Sequence, residues 1–368
     1  MRLKQLRVCG FRNIEEAQIE LSSQFNSITG ANGAGKTSLL EAIYTLGHGR
    51  SFRSRLTQPL IRQGSKEYLV FARCVTQQQT EFKLGLTKGS DAPRIHINEE
   101  SLTSMSELAR LFPVVEIDAA SLSLIDEGPA QRRSFLDWGV FHVEQIPGSL
   151  WVRYRRVLQQ RNSLLRKNVH EDHEFWDREF VDLSQQIDLA RRKYLDRLNS
   201  LFGSLAKNLL GSMAEQITLE YFPGWSEDTE SLSESLARVR PREMVLGRTI
   251  KGAHCADLRL LVEGAPAKDR LSRGQKKLFV AALKFAQVRL YNEQHSEHAI
   301  LLLDDFAAEL DATSMNRVRC ALGELQCQII AAAVNPEELA KLNPFRGAEV
   351  FHVEHGKINR RKESTQSG

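Results

Sequence analysis

An α/β core assembled from both ends of the chain, with a mainly helical lobe inserted between them, is the architecture this 368-residue sequence predicts. Three observations carry it. Short apolar runs of strand character occupy the stretch up to Asn98 and return after Leu258. From Pro129 to about Met213 the periodicity is that of long helices. A glycine-rich loop follows an early apolar strand, and a late apolar strand ends in two carboxylates. The boundaries read from these shifts are 1–112 and 256–359 for the two parts of the core, 113–255 for the lobe, and 360–368 for a polar tail expected to be disordered.

The amino-terminal strands are marked by Leu3, Leu6 and Val8, by Ala17, Ile19 and Leu21, and by the run Phe25 to Thr29, after which a helix begins at Lys36. Tyr68 to Val75 and Glu81 to Leu86 read as strands joined by the polar turn Thr76 to Thr80, with Arg94 to Asn98 as another. Ser104 with Glu107 is a capping box that opens a helix, and Pro113 closes it. In the lobe, Pro147 and Gly148 interrupt the helices and Asn168 to Asp172 is a turn. Trp176, Phe180, Leu183, Ile187, Ala190 and Tyr194 are spaced 4, 3, 4, 3, 4, the seam of a coiled coil. Trp151, Tyr154, Leu158 and Leu165 match it on the preceding helix, where Arg161 takes one seam position. An antiparallel hairpin about 30 to 50 Å long is expected at 1.5 Å per residue. Ser226 to Ser235 reads as a surface stretch, and Ala299 to Leu303 and Gln328 to Val334 as buried strands.

Composition excludes several classes. At 42% apolar content the chain has ample material for a core. Its five cysteines are scattered without a CxxC pair, against a disulfide framework or zinc site and for a reducing cytosol. No stretch reads as a signal peptide or membrane span, so a cytoplasmic protein without a membrane partner is expected. A net charge of +4 is too small to demand a polyanionic partner, so any such argument rests on where the charge lies.

Gly30-Ala31-Asn32-Gly33-Ala34-Gly35-Lys36-Thr37 fits GxxxxGK[ST] in the required context of strand, loop and helix, and Ser38 continues it. Glycines let successive backbone N–H groups turn inward on phosphate oxygens, and the helix start adds its positive dipole end. Lys36 is the residue to reach the β- and γ-phosphates and Thr37 the one to hold Mg²⁺.

Ile300 to Leu303 followed by Asp304 and Asp305 places two acids at the end of a buried strand beside such a loop. Asp304 is the expected Mg²⁺ partner, and Asp305 stands where ABC ATPases carry the residue that polarises the attacking water, a resemblance that implies a general-base role for it. Leu271-Ser272-Arg273-Gly274-Gln275 resembles the LSGGQ signature of ABC ATPases, and Ala308-Glu309-Leu310-Asp311 stands where that class has its D-loop. The resemblance implies ATP as ligand, and a homodimer in which Ser272, Arg273, Gly274 and Gln275 of one copy contact the ATP held by the other. It also marks a departure, since the class usually carries glutamate where Asp305 stands.

Phe11-Arg12-Asn13, the run Ser38 to Tyr44, Gly49-Arg50-Ser51-Phe52-Arg53, the block from Leu122 through Arg132-Arg133-Ser134-Phe135-Leu136-Asp137, Gly247-Arg248-Thr249 with His254, and the LSRGQ signature together resemble the RecF family of bacterial recombination mediators. The likeness runs from about residue 1 to 358. Ala253 replaces the proline usual before the family's histidine, and Val115 to Asp118 lacks the usual Phe and Pro. No histidine follows Gln328 to Val334 in the place of a transporter switch residue; Ala332 and Asn335 fall there. The resemblance implies an SMC-like ABC ATPase head with a shortened arm, a slow DNA-stimulated ATPase, and binding to duplex DNA and single-strand/duplex junctions. It further implies association with the nucleoid, partners RecR and RecO, and help in loading RecA in repair, replication restart and the SOS response.

Support for DNA independent of that likeness comes from Arg153, Arg155, Arg156, Arg161, Arg166 and Lys167, which lie in a stretch without Asp or Glu. Arg238, Arg240, Arg242, Arg248 and Lys251 form a second cluster against the single acid Glu243. His295 and His298 read as an exposed turn. The alternatives are an ABC transporter subunit, which the basic clusters and the helical insertion fit poorly, and a structural SMC-like DNA organiser, for which the hairpin is short. A nuclease would need a second metal cluster, and none is legible.

Overall fold

The computed structural model describes residues 1–54, 56–102, 104–167, 173–226 and 231–361. The chain divides into two compact units: a core unit of Met1–Leu122, Ser204–Gly211 and the residues from Arg273 onward, and a helical unit of Ser123–Gly203 and Ser212–Ser272.

The core unit begins with β1 (Arg2–Phe11), β2 (Ile14–Glu20), β3 (Phe25–Thr29), α1 (Lys36–His48), β4 (Glu67–Val75), β5 (Glu81–Gly89), β6 (Arg94–Ile97), β7 (Glu100–Leu102), α2 (Met105–Leu111) and β8 (Val114–Ile117). One antiparallel sheet has the order β2-β1-β4-β5-β6-β7. Along β4 only alternate residues, Tyr68, Val70, Ala72 and Cys74, are fully buried, the period of a strand with one face on the core. They meet Leu3, Leu6, Val8 and the apolar side of α1 in a single cluster.

The helical unit contains α3 (Ser123–Asp126), α4 (Pro129–His142), α5 (Gly148–Lys167), the greater part of α6 (His173–Leu210), β9 (Ile217–Phe222), α7 (Leu232–Leu246), β10 (Asp257–Val262), β11 (Ala265–Pro266) and α8 (Ala267–Arg270). Phe180, Leu183, Ile187, Ala190 and Tyr194 are buried, as their spacing predicts. The rings of Tyr154 and Phe180 stack at 5.4 Å, and Arg153 pairs with Glu179, so α5 and α6 face each other. They do not make a free-standing coiled coil. Leu232 and Leu236 of α7, with Trp225, complete the same core, so the pair is two helices of a bundle. Gly139 lets α4 approach α6: an added Cβ would lie 2.0 Å from Cζ of Tyr194.

The chain returns to the core unit with α9 (Arg273–Gln294), β12 (Ile300–Asp304), α10 (Ala312–Glu324), β13 (Gln328–Ala333), α11 (Pro336–Leu342), β14 (Glu349–Glu354) and β15 (Lys357–Arg361). The second sheet of this unit has the order β15-β14-β3-β13-β12-β8, parallel except for the β14–β15 hairpin. β3, β13 and residues 300–303 of β12 are buried throughout, because helices cover both faces of a parallel sheet and leave no solvent side to alternate with. The register sets Thr29 beside Ala333, Asp304 beside Ala332 and Ile117 beside Leu303. The loops after β3, β12 and β8 therefore leave the sheet at one edge and at one level.

Three expectations change. The lobe does not begin at residue 113, since Val114–Ile117 pairs with β12 inside the core sheet, and it extends to Ser272, because β10 pairs with β9 and not with the core. The tail does not begin at residue 360: Arg360 and Arg361 complete β15, and the remainder of the predicted tail lies outside the described residues, as does the predicted turn 168–172. Of the predicted surface stretch Ser226 to Ser235, residues 227–230 are outside the description. Its end opens α7, with Ser231 and Glu234 in a capping box and Leu232 and Ser235 buried.

Candidate functional site

The phosphate loop lies between β3 and α1, as its pattern predicts. Gly35 has φ +122°, a left-handed conformation, and an added Cβ there would come within 3.1 Å of the Asn13 side chain. At Gly30 an added Cβ would meet the carbonyl oxygen of Val353 at 2.3 Å. The loop is held from outside by its carbonyls: Asn13 Nδ2 donates to Gly33 O and Ala34 O at 3.2 and 3.1 Å, and Gly356 N to Ala34 O at 2.8 Å. Helix α1 opens on Gly35 without a side-chain cap, so its first N–H groups stay available to an anion. Lys36 Nζ reaches over the loop to Gly30 O and Ala31 O at 3.0 and 3.1 Å.

At the same edge, β12 delivers Asp304 and Asp305. Burial pushes the Asp304 carboxyl up to about 6, the hydrogen-bonding hydroxyl of Thr37 pulls it down, and the nearby carboxylates of Asp305 and Asp118 push it up further. Its Oδ1 is buried with no hydrogen-bond partner. An orphaned carboxylate oxygen beside a threonine hydroxyl is a hard oxygen donor set of the kind Mg²⁺ takes. Asp305 has φ +48° and donates its N–H to Ala332 O at 2.9 Å, so the chain turns sharply as it leaves the strand. A cavity of about 150 Å³ adjoins it, lined by Asp118, Ser121, Arg273, Lys277, Asp304 and Asp305 among others; the phosphate loop is not part of its wall.

Helix α9 begins at Arg273, which puts Ser272 at the position preceding the first turn and Gly274 and Gln275 within that turn. Arg273 pairs with Glu309 at 2.9 Å, and Lys277 Nζ donates to Ala308 O at 2.5 Å, so the start of α9 is tied to the segment after β12. Asp311 caps α10, accepting from Ser314 N at 2.8 Å.

The basic stretch on α5 is not uniform. Arg155, Arg156, Arg166 and Lys167 are exposed. Arg153 is also exposed but paired with Glu179. Arg161, predicted as a DNA contact, is 0% exposed and bonded to Asp177, Glu243 and Thr249 Oγ1. Its seam position was legible; the two carboxylates that neutralise it come from other helices, so sequence proximity could not reveal them. In the second cluster Arg240 pairs with Asp177. His295 and His298 bond to the carbonyls of Tyr291 and Gln326, and no metal-binding group occurs among the described residues.

Two features escaped sequence reasoning. Asp118 directly follows β8, the strand beside β12, and its Oδ1 accepts from Ser121 N and Oγ at 2.9 and 2.8 Å. Part of the signal was present, because Val114, Val115 and Ile117 are followed by an acid as Ile300 to Leu303 are, but Glu116 interrupts the apolar run. Glu41, fully buried in α1, takes Arg12 at 2.6 Å and Ser51, joining three segments that the sequence separates. Arg132 and Arg133, by contrast, have structural partners in Asp257 and Ala256 O.

The RecF/RecN/SMC N-terminal domain model matches residues 2–359. Proteins named DNA replication and repair protein RecF from Shewanella sp. (strain MR-7) and Aliivibrio fischeri are 40% and 38% identical to the chain, each covering 97% of it and 99% of the relative. A solved structure of the recombination mediator protein RecF with ATPrS, in the RecFOR pathway, superposes with a TM-score of 0.84 at 25% identity, covering 98% of both chains. An Smc head bound to the C-winged helix domain of ScpA, at 15% identity and a TM-score of 0.59, shares the SMC-like head fold. The loop after β3, the acids after β12 and the α9 signature are thus set in a head of known type, and the chain belongs to the RecF family.

Proposed function

We propose that the protein is an ATP-driven switch on DNA in recombinational repair: ATP closes a homodimer on duplex or gapped DNA, and slow, DNA-stimulated hydrolysis releases it. One observation carries the reading, the convergence of Lys36, Thr37 and the unpartnered Oδ1 of Asp304 at one sheet edge. The backbone and side chains of Gly30 to Ser38 hold the phosphates, and Thr37 with Asp304 holds Mg²⁺. A Mg²⁺ ion held there would supply positive charge to offset that of the transferred phosphoryl group. Asp305 takes a proton from water as its oxygen bonds to the γ-phosphorus; the bond to the β–γ bridging oxygen breaks, giving ADP and phosphate. Ser272, Arg273, Gly274 and Gln275 of a second copy close on the γ-phosphate, with Asp311 and its D-loop between the copies.

RecR and RecO are the proposed partners, and loading of RecA onto gaps coated by single-strand-binding protein is the proposed outcome, supporting replication restart and the SOS response in the cytoplasm at the nucleoid. Identity of about 40% along the whole length of proteins named for DNA replication and repair supports this. No described helix is long and apolar enough to cross a membrane. The test is binding to gapped and continuous duplex with ATP, ADP or no nucleotide, in wild type and Lys36→Met. ATP-dependent binding that Lys36→Met loses is expected. Equal binding in all conditions would contradict the switch.

A further inference from the structure

We infer that α5 and α7 form a single groove for the phosphates of a nucleic-acid backbone, with Arg155 and Arg166 on one wall and Arg242 on the other; this rests on the DNA-binding reading above. The two basic clusters lie far apart in sequence, but the fold lays them side by side. Residues 155, 162 and 166 share one stripe of α5, since 7 and 11 residues are about two and three helical turns. The stripe faces the end of α7: Asn162 Oδ1 accepts from Thr249 N at 2.7 Å, and an added Cβ on Gly247 would lie 2.9 Å from Cγ of Arg166. On α7, Arg240 turns to Asp177 of α6. Arg242, two residues on, is rotated by about 200° and turns away from α6.

Arg155, Arg166 and Arg242 are exposed, and none makes an ion pair with a described residue. Among the described residues of α5 and α7, the carboxylates are already engaged. Helix α5 contributes no acid, Glu234 of α7 is held in the capping box at the opposite end, and Glu243 is buried against Arg161 at 2.6 Å. Arg161 thereby acts as a positioning residue: from inside the bundle it pins α7 to α5 and neutralises Glu243. Asn162, on the same stripe, is held by Thr249, so the arginines of the two walls grip phosphates, and recognition is independent of sequence and steeply salt-dependent.

The test uses the full chain with ATP and a fluorescently labelled duplex of random sequence, titrated by anisotropy over a salt series, with ATP-dependent dimer formation measured in the same samples. Replacing Arg155 and Arg242 together by Gln should leave the dimer and thermal stability unchanged. The slope of log affinity against log salt should become shallower by about 0.9 per lost contact, about 1.8 for the pair. Arg178→Gln on α6, an exposed arginine already paired with Glu174 at 3.5 Å, should leave the slope unchanged. An unaltered slope in the double variant, or an equal loss in Arg178→Gln, would overturn the groove and leave it to an acidic protein surface. Wild-type protein that forms its dimer yet binds no duplex would overturn the underlying DNA reading as well.

Discussion

The two units treat buried charge in opposite ways. In the core unit the edge of the parallel sheet gathers Asp304, Asp305 and Asp118, and leaves one oxygen of Asp304 buried without a partner. In the helical unit Arg161 is buried more deeply than any of them, yet two carboxylates and a hydroxyl take up its donors. Arg191 is likewise matched, by Asp137 at 2.7 Å and Ala253 O at 2.7 Å. A charge that the protein leaves unsatisfied costs stability and is kept for a ligand; one that it satisfies in full holds the architecture. Substitutions should therefore separate the units, with activity lost without stability in one and stability lost before activity in the other.

The largest effect is expected at the acidic edge. Asp305→Asn should lower ATP turnover by about 10² to 10⁴ while ATP affinity, measured by equilibrium binding, stays near wild type. Asp305→Glu, which restores the longer carboxylate of the class, should turn over faster than wild type. Full activity in Asp305→Asn would remove the base assignment. Next comes Arg161→Met, which leaves Glu243 buried without its counter-charge while Asp177 keeps Arg240, and should cost about 3 to 5 kcal/mol in urea unfolding. Its ATP affinity per folded molecule should not change. A loss of ATP affinity without a loss of stability would erase the distinction between the units.

The smallest effect is one of pH. Burial, followed by the charges of Arg133, Arg161 and Arg191, lowers His254 to about 4, against the opposing bond to Thr249 O. The folded state thus keeps this imidazole neutral while the unfolded chain accepts a proton below its ordinary pKa of about 6.5. Its contribution is complete above that value and is lost as pH falls from there toward 4, by at most about 1.4 kcal/mol per pH unit. Urea titrations over this window should give a shallower pH dependence in His254→Gln than in wild type. Equal slopes would place the acid sensitivity elsewhere.

What the sequence made legible was local. The phosphate loop, the strand ending in Asp304 and the α9 signature are contiguous motifs whose chemistry fixes their spacing, and the helix seam is a period that residues 176–194 display directly. What it hid was long-range pairing. One parallel partner of β12, β8, lies far from it in the chain, so neither its place in the core sheet nor that of Asp118 is legible in the sequence. The buried pairs of Arg161 and the Glu41–Arg12–Ser51 link join segments that only the fold brings together. A run of arginines without acids looked like a uniform surface because the acids that neutralise part of it sit on the facing helices.

The central claim is that the unsatisfied edge of the core unit serves a nucleotide whose site is completed by a second copy of the chain. Sedimentation of the Asp305→Asn variant with and without ATP and Mg²⁺ tests it most directly. The account predicts a doubling of mass with ATP that Lys36→Met abolishes. A mass that ATP leaves unchanged, in a variant shown to bind ATP, would contradict it.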